Sequence, residues 1–288
     1  MLASFLITFR EALEAALIIG IIAAYLAKIG RKDLYRYLNI GIIGAIAASA
    51  VAALVFKAVY GEFEGRAEEL FEAAAAMTAA AVLTYMIFWM AGNSKKIKGE
   101  LQEKIDISLS KGEKLGIAVL SFIAVFREGV ETVLFLGALA INSPLDTLIG
   151  FILGAAVVIM LSFLMFKGIY SLDVSRFFKY TSILLILFSA GLTAVAVHEF
   201  NEAGIIPPVI EHMWDVNPPE NPDGTYPLLH EKGLIGSSLK SLIGYNGNPS
   251  LTEVLAYIGY WMIIGSFVLK TYRTPEESRT KEVNANGS

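Results

Sequence analysis

The 288-residue chain has no cysteine, only three histidines, and charge on just 17% of its residues. Without cysteine there is no disulfide, no thiolate metal site and no thiol nucleophile. His198, His212 and His230 all fall outside the long apolar stretches, which argues against a zinc centre of nitrogen and sulfur ligands. No HExxH and no nucleophile paired with a base is present, so the chain is not expected to be an enzyme. A formal net charge of −4 gives no reason to expect nucleic-acid binding. Proline is scarce as well, and six of the nine lie between 207 and 227. The start does not read as a signal peptide: it lacks a basic opening region, and Arg10 and Glu11 interrupt its apolar core.

What the chain does have is apolar length, with 55% hydrophobic residues. Apolar stretches cover 2–27, 38–60, 71–92, 115–141, 145–170, 177–197 and 251–269. Each is close to or above the ~20 residues that cross a bilayer as a helix. Helices are the only option at these lengths, and lipid satisfies no backbone polar group. The expectation is an all-α, multi-pass integral membrane protein with seven transmembrane helices. Lys28, Arg31, Lys32 and Arg36 follow the first span. Lys95, Lys96, Lys98, Lys104, Lys111 and Lys114 follow the third, Lys167, Arg176 and Lys179 the fifth, and Lys270, Arg273, Arg279 and Lys281 the last. These alternate connections share one side, which the positive-inside rule makes cytoplasmic. The N-terminus is then outside and the C-terminus cytoplasmic.

One phrase occurs twice. Phe9-Arg10-Glu11-Ala12-Leu13-Glu14 runs on to Leu17 and Gly20; Phe126-Arg127-Glu128-Gly129-Val130-Glu131 runs on to Leu134 and Gly137. Phe56-Lys57-Ala58-Val59-Tyr60 in the second span also echoes Phe166-Lys167-Gly168-Ile169-Tyr170 in the fifth. The copies lie in the first and fourth spans, an odd offset of three, so they run in opposite directions. This is a 3+3 inverted repeat plus one helix: repeats at 1–92 and 115–200, an outer loop at 201–250, a seventh helix at 251–272 and a tail at 273–288. Such folds bind their substrate near the midplane, between the halves. Gly41, Gly44, Ala45, Ala47 and Ala48 give the second span a small face, and Gly150 and Gly154 form a GxxxG in the fifth. Both read as ordinary helix-packing surfaces. In the outer loop, Leu234, Ile235, Leu239 and Leu242 fit a short helix within 228–243 lying in the membrane interface.

An ionised group at mid-membrane costs about 2.5–3.5 kcal/mol on insertion scales. The two motifs carry six, so they must face each other, water or an ion. On a helix, Arg, the first Glu and the second Glu fall within an arc of about 100°. The glutamates at i and i+3 can converge on one ion, and the arginine can pair with the second glutamate. Two facing copies hold four carboxylates and two guanidiniums. Repulsion would protonate some of the acids in a dry cluster, whereas a hard multivalent cation takes several oxygens at once. Two Arg–Glu pairs acting as internal glue are the structural alternative, but surplus acid makes poor glue.

These residues resemble the paired REXXE motifs of the oxidase-dependent iron permease family. The likeness extends through seven spans, and includes Glu72 through Trp89-Met90 and His198-Glu199 through Trp214-Asp215. The resemblance implies an iron permease of the plasma or cytoplasmic membrane. It implies iron as transported substrate, not cofactor, and Glu11, Glu14, Glu128 and Glu131 as its metal ligands. Arg10 and Arg127 then balance charge. It also implies a separately encoded extracytoplasmic ferroxidase or iron-handling partner. A proton-coupled carrier of another cation, such as lead, manganese or an organic amine, is the alternative transport reading. On the outer side, Glu62, Glu64, Glu68, Glu69, Glu202, Glu211, His212 and Asp215 read as solvated surface groups. Glu72 and Glu199, at the edges of apolar spans, are candidates for an outer mouth. His198 is included with them, although a hydrogen-bonded interfacial role suits it better than ligation.

Overall fold

A computed structural model describes residues 1–93, 96–110, 114–166, 174–222 and 224–267. Among these there are helices, turns and loops but no strand. The helices are α1 (Leu2–Lys28), α2 (Tyr35–Tyr60), α3 (Arg66–Asn93), α4 (Ile97–Ser110), α5 (Lys114–Asn142), α6 (Pro144–Phe166), α7 (Val174–Glu202), α8 (Leu234–Ile243) and α9 (Leu251–Phe267). Every expected apolar stretch is helical within the described residues. Four segments are long, apolar and uncharged enough to cross a membrane: Lys32–Tyr60, Arg66–Met90, Pro144–Met165 and Thr181–Glu202. α1 and α5 are as long, but each carries an arginine and two glutamates in its middle. α9 is shorter. Lys95, Lys111, Lys167, Gly168, Ile169, Tyr170, the end of the seventh span and the tail lie outside the described residues.

Element ends follow local chemistry. α3 starts before the expected 71, with Glu68 and Glu69 in its first turn, where carboxylates favour a helix N-terminus. Pro144 opens α6 at a position needing no N–H donor. Ser250 and Glu253 make a reciprocal cap on α9. The Ser250 N–H donates to Glu253 Oε1 at 3.0 Å, and the Glu253 N–H to Ser250 Oγ at 3.2 Å. Gly244 closes α8 with a φ of +69°; its own N–H donates to the Lys240 carbonyl, and the Tyr245 N–H to the Leu239 carbonyl.

Helices of the first half of the chain interlock with those of the second. α1 packs chiefly on α6 and α2 chiefly on α5, while α3 packs on α7 and α1 on α5. Each half thus lends its second helix to the first helix of the other. Two seams hold this exchange, and they use corresponding atoms. A Cβ at Gly41 of α2 would strike Ser121 Oγ, the Ala118 carbonyl and the Phe122 nitrogen of α5. A Cβ at Gly150 of α6 would strike Ser4 Oγ, the Met1 carbonyl and the Phe5 nitrogen of α1. Those three α1 positions correspond one for one to the α5 positions under the register of the motif copies. Ring stacking repeats too: Phe5 on Phe9 at 6.0 Å, and Phe122 on Phe126 at 5.3 Å. The small faces are packing surfaces, as the sequence suggested.

α2 and α6 flank the bundle and leave Ile40, Ile43, Ile46, Ile152, Ile159 and Phe163 exposed. Exposed apolar surface on this scale suits a lipid-facing wall. One buried cluster joins Ile7, Ala79, Leu83, Phe135, Phe188 and Ala196 of α1, α3, α5 and α7. A second gathers Ile22, Leu26, Leu34, Leu38, Ile105 and Ile117 at the lysine-rich end. The second cluster includes α4, a helix within the lysine-rich connection between the third and fourth apolar stretches. Leu101 and Ile105 are buried one turn apart, and the Tyr25 hydroxyl donates to the Asp106 carboxylate at 2.7 Å. α8 forms inside the expected 228–243, but it packs on α7 and α1, with Leu242 against the first cluster.

Candidate metal centre

α1 and α5 bring the two motifs together. Arg10, Glu11 and Glu14 are all buried, as is Glu128. Arg10 Nη1 lies 2.5 Å from Glu11 Oε1, and its Nη2 lies 2.6 Å from Glu14 Oε1. Arg127 offers a looser grip: its Nε is 3.1 Å from Glu131 Oε1 and 3.4 Å from Glu128 Oε1. Carboxylate oxygens of Glu11, Glu128 and Glu131 all come within 4.8 Å of one another. Glu14 stands beside this trio, held by Arg10.

The second oxygens are the informative atoms. Oε2 of Glu11, Glu128 and Glu131 is buried and has no hydrogen-bond partner. Each such oxygen would forfeit its hydration without compensation, a penalty of about 1–3 kcal/mol or more for a charged group. Three converging carboxylates, each with such an oxygen, are the kind of donor set that suits a cation preferring oxygen. With all six groups ionised, four carboxylates and two guanidiniums carry two negative charges in excess, which a dication would cancel.

The surroundings are one-sided. A cavity of about 810 Å³ is lined by Glu14, Trp89, Arg127 and Glu128 near the motifs, and extends to Tyr25, Lys28, Glu100 and Lys104 at the lysine-rich end. In the other direction, Ile7 lies one turn before Glu11 and Phe135 one turn after Glu131. Both are fully buried in the first apolar cluster. That cluster lies on the side of the motifs away from the lysine-rich end.

The outer candidates have partners of their own. The Tyr60 hydroxyl donates to Glu68 Oε1 at 3.0 Å and lies 3.1 Å from Glu72 Oε1. Glu72 and Glu199 are half-buried electrostatic neighbours on the packed pair α3 and α7. Neither reaches the motif trio. His198 Nδ1 lies 3.2 Å from Glu253 Oε1, so its contact is with the α9 cap. Glu62, Glu64, Glu202, Glu211, His212 and Asp215 are exposed. Glu253, also bonded by Asn246 Nδ2 at 2.8 Å, was missed by the hydropathy reading. Its signal was the Ser-x-x-Glu spacing ahead of an apolar run. Trp89 and Met86 were missed as neighbours of the motif because a distant helix supplies them.

The profile of the Iron permease FTR1 family matches residues 1–274. The chain belongs to that family. Among its relatives are an uncharacterized protein of Archaeoglobus fulgidus, 38% identical over 277 residues, spanning 94% of this chain and 96% of that one. The ferrous iron permease EfeU of Yersinia pestis is 35% identical over 267 residues, 90% of each chain. EfeU of Escherichia coli is 34% identical over 267 residues, 90% of this chain and 92% of its own length. No solved structure matches. A family of permeases makes this FTR1-family chain a membrane transporter, not an enzyme, and gives iron as the family's substrate.

Proposed function

We propose that this chain imports ferrous iron across the plasma or cytoplasmic membrane through Glu11, Glu14, Glu128 and Glu131. The observation that carries the proposal is the convergence of three carboxylates from two helices, each with a buried oxygen lacking any partner. The ferrous iron permeases to which the chain is similar support the choice of ion. So does the charge: two excess negatives match a dication. All the donors are oxygen, which suits a hard ion that exchanges without being trapped by thiolate.

Seven spans, N-terminus outside, are the arrangement the lysine and arginine distribution supports. In that orientation the cavity opens to the cytoplasm and the Ile7–Phe135 cluster closes the outer side. Glu72 and Glu199 then form an outer mouth, where acid raises the local cation concentration. An inside-negative potential drives the ion inward by about 2.3 kcal/mol per charge per 100 mV. The ion exchanges water for carboxylate oxygen at the trio, and Arg10 keeps Glu11 and Glu14 paired in its absence. An extracytoplasmic ferroxidase or iron-handling protein, encoded separately, is the partner the family resemblance supports.

The test is radiolabelled iron uptake by cells whose only iron importer is this chain. Glu128→Gln and Glu131→Gln each keep side-chain size and remove one ligand. Both variants should insert at normal levels and lose uptake by at least about a hundredfold. Uptake retained by both would overturn the proposal.

A further inference from the structure

The two motif arginines differ in what they touch, and the difference assigns a task to α3. Arg10 is buried, with Nη1 against Glu11 and Nη2 against Glu14. Arg127 is 40% exposed along its side chain and lines the cavity. Its Nε faces the carboxylates, Glu131 at 3.1 Å and Glu128 at 3.4 Å. Its other edge is held by α3. The guanidinium carbon sits 4.7 Å from the centre of the Trp89 ring, and Nη2 lies 3.5 Å from Met86 Sδ. Trp89 and Met86 are i and i+3, so they present one face. The indole face attracts a cation through its ring quadrupole.

Building on the proposed ferrous site, an ion entering among Glu11, Glu128 and Glu131 must claim oxygens on which Arg127 rests. A guanidinium cannot shed its proton, so it has to move aside with its charge. We infer that Trp89, aided by Met86, is a positioning residue that seats the Arg127 guanidinium beside the carboxylates and leaves them free for the ion. Without the seat, Arg127 settles fully on Glu128 and Glu131 and competes with the metal. Trp89 itself touches neither ion nor carboxylate in this scheme; it acts through Arg127.

The experiment is equilibrium binding of ferrous ion, under anaerobic conditions, to the purified full chain in detergent. Trp89→Leu should weaken binding about tenfold, and Trp89→Phe, which keeps an aromatic face, should recover to within about threefold of wild type. In an Arg127→Gln background the Trp89→Leu change should shift affinity less than about twofold, because there is no guanidinium to seat. A loss of packing would instead weaken binding equally in both backgrounds. Trp89→Leu binding like wild type, or the same tenfold loss in Arg127→Gln, overturns the inference while leaving the glutamate site standing. No ferrous binding by the wild-type chain overturns both.

Discussion

Replacing each motif arginine by glutamine should give sharply unequal results. Arg10 and both of its partners have side chains no more than 4% exposed. Removing it strands Glu11 and Glu14 as buried, unpaired acids, and breaking a buried pair in this way costs about 3–5 kcal/mol. The Arg127 side chain is 40% exposed and meets its partners at 3.1 and 3.4 Å. Solvent screening lowers its value toward the ~1 kcal/mol or less of exposed pairs. Thermal unfolding of the purified protein in detergent measures the gap. A shift of about 2–4 °C per kcal/mol puts Arg10→Gln roughly 10 °C below wild type and Arg127→Gln within a few degrees of it. Saturating ferrous ion adds a second readout. A ligand bound only by the folded state stabilises by RT ln(1 + [L]/Kd), about 2.7 kcal/mol at a hundredfold excess over Kd. Because the ion supplies the positive charge that Arg10→Gln lacks, it should raise that variant more than it raises wild type. Equal destabilisation by the two substitutions, or no extra metal rescue of Arg10→Gln, would refute the reasoning from burial.

Other expectations follow from single contacts. Gly41→Leu and Gly150→Leu drive side chains into corresponding backbone atoms, so each should lower thermal stability by about 1–3 kcal/mol and by similar amounts. A large inequality between them would deny the twofold relation of the seams. Glu253→Gln removes the acid partner of His198 and weakens the α9 cap, and should cost about 1 kcal/mol in the same assay without altering ferrous binding. In reconstituted vesicles, excess lead or manganese should leave most ferrous transport intact. Strong competition by either would favour the proton-coupled carrier of another cation.

Much of the fold was legible because lipid imposes length. A stretch such as 38–60 has no alternative to a helix, and the structure makes it one. The motif pair was legible because charge in apolar sequence is expensive and therefore purposeful. The rest depended on tertiary contact. α4 escaped a search for apolar length, since only Leu101, Ile105 and their neighbours turn inward. Nothing in the α2 sequence says that its glycine meets Ser121 of α5 instead of its own neighbours in the chain. The trio of Glu11, Glu128 and Glu131, with Glu14 drawn off by Arg10, is likewise a matter of side-chain geometry that spacing leaves open. Trp89 joins the motif only because α3 crosses the α5 face there.

The exchange of second helices has a consequence for the polypeptide as a whole. Residues 1–92 and 115–200 clasp each other like two hands, each closing on fingers that belong to the other. Neither half keeps its own grip when alone, because the Gly41 and Gly150 seams both run between halves. Severing the chain within 94–113 should therefore leave a working transporter only when both pieces are made together in one cell. Either fragment by itself would expose the serine-lined groove its missing counterpart should fill, and would be open to a second full-length copy.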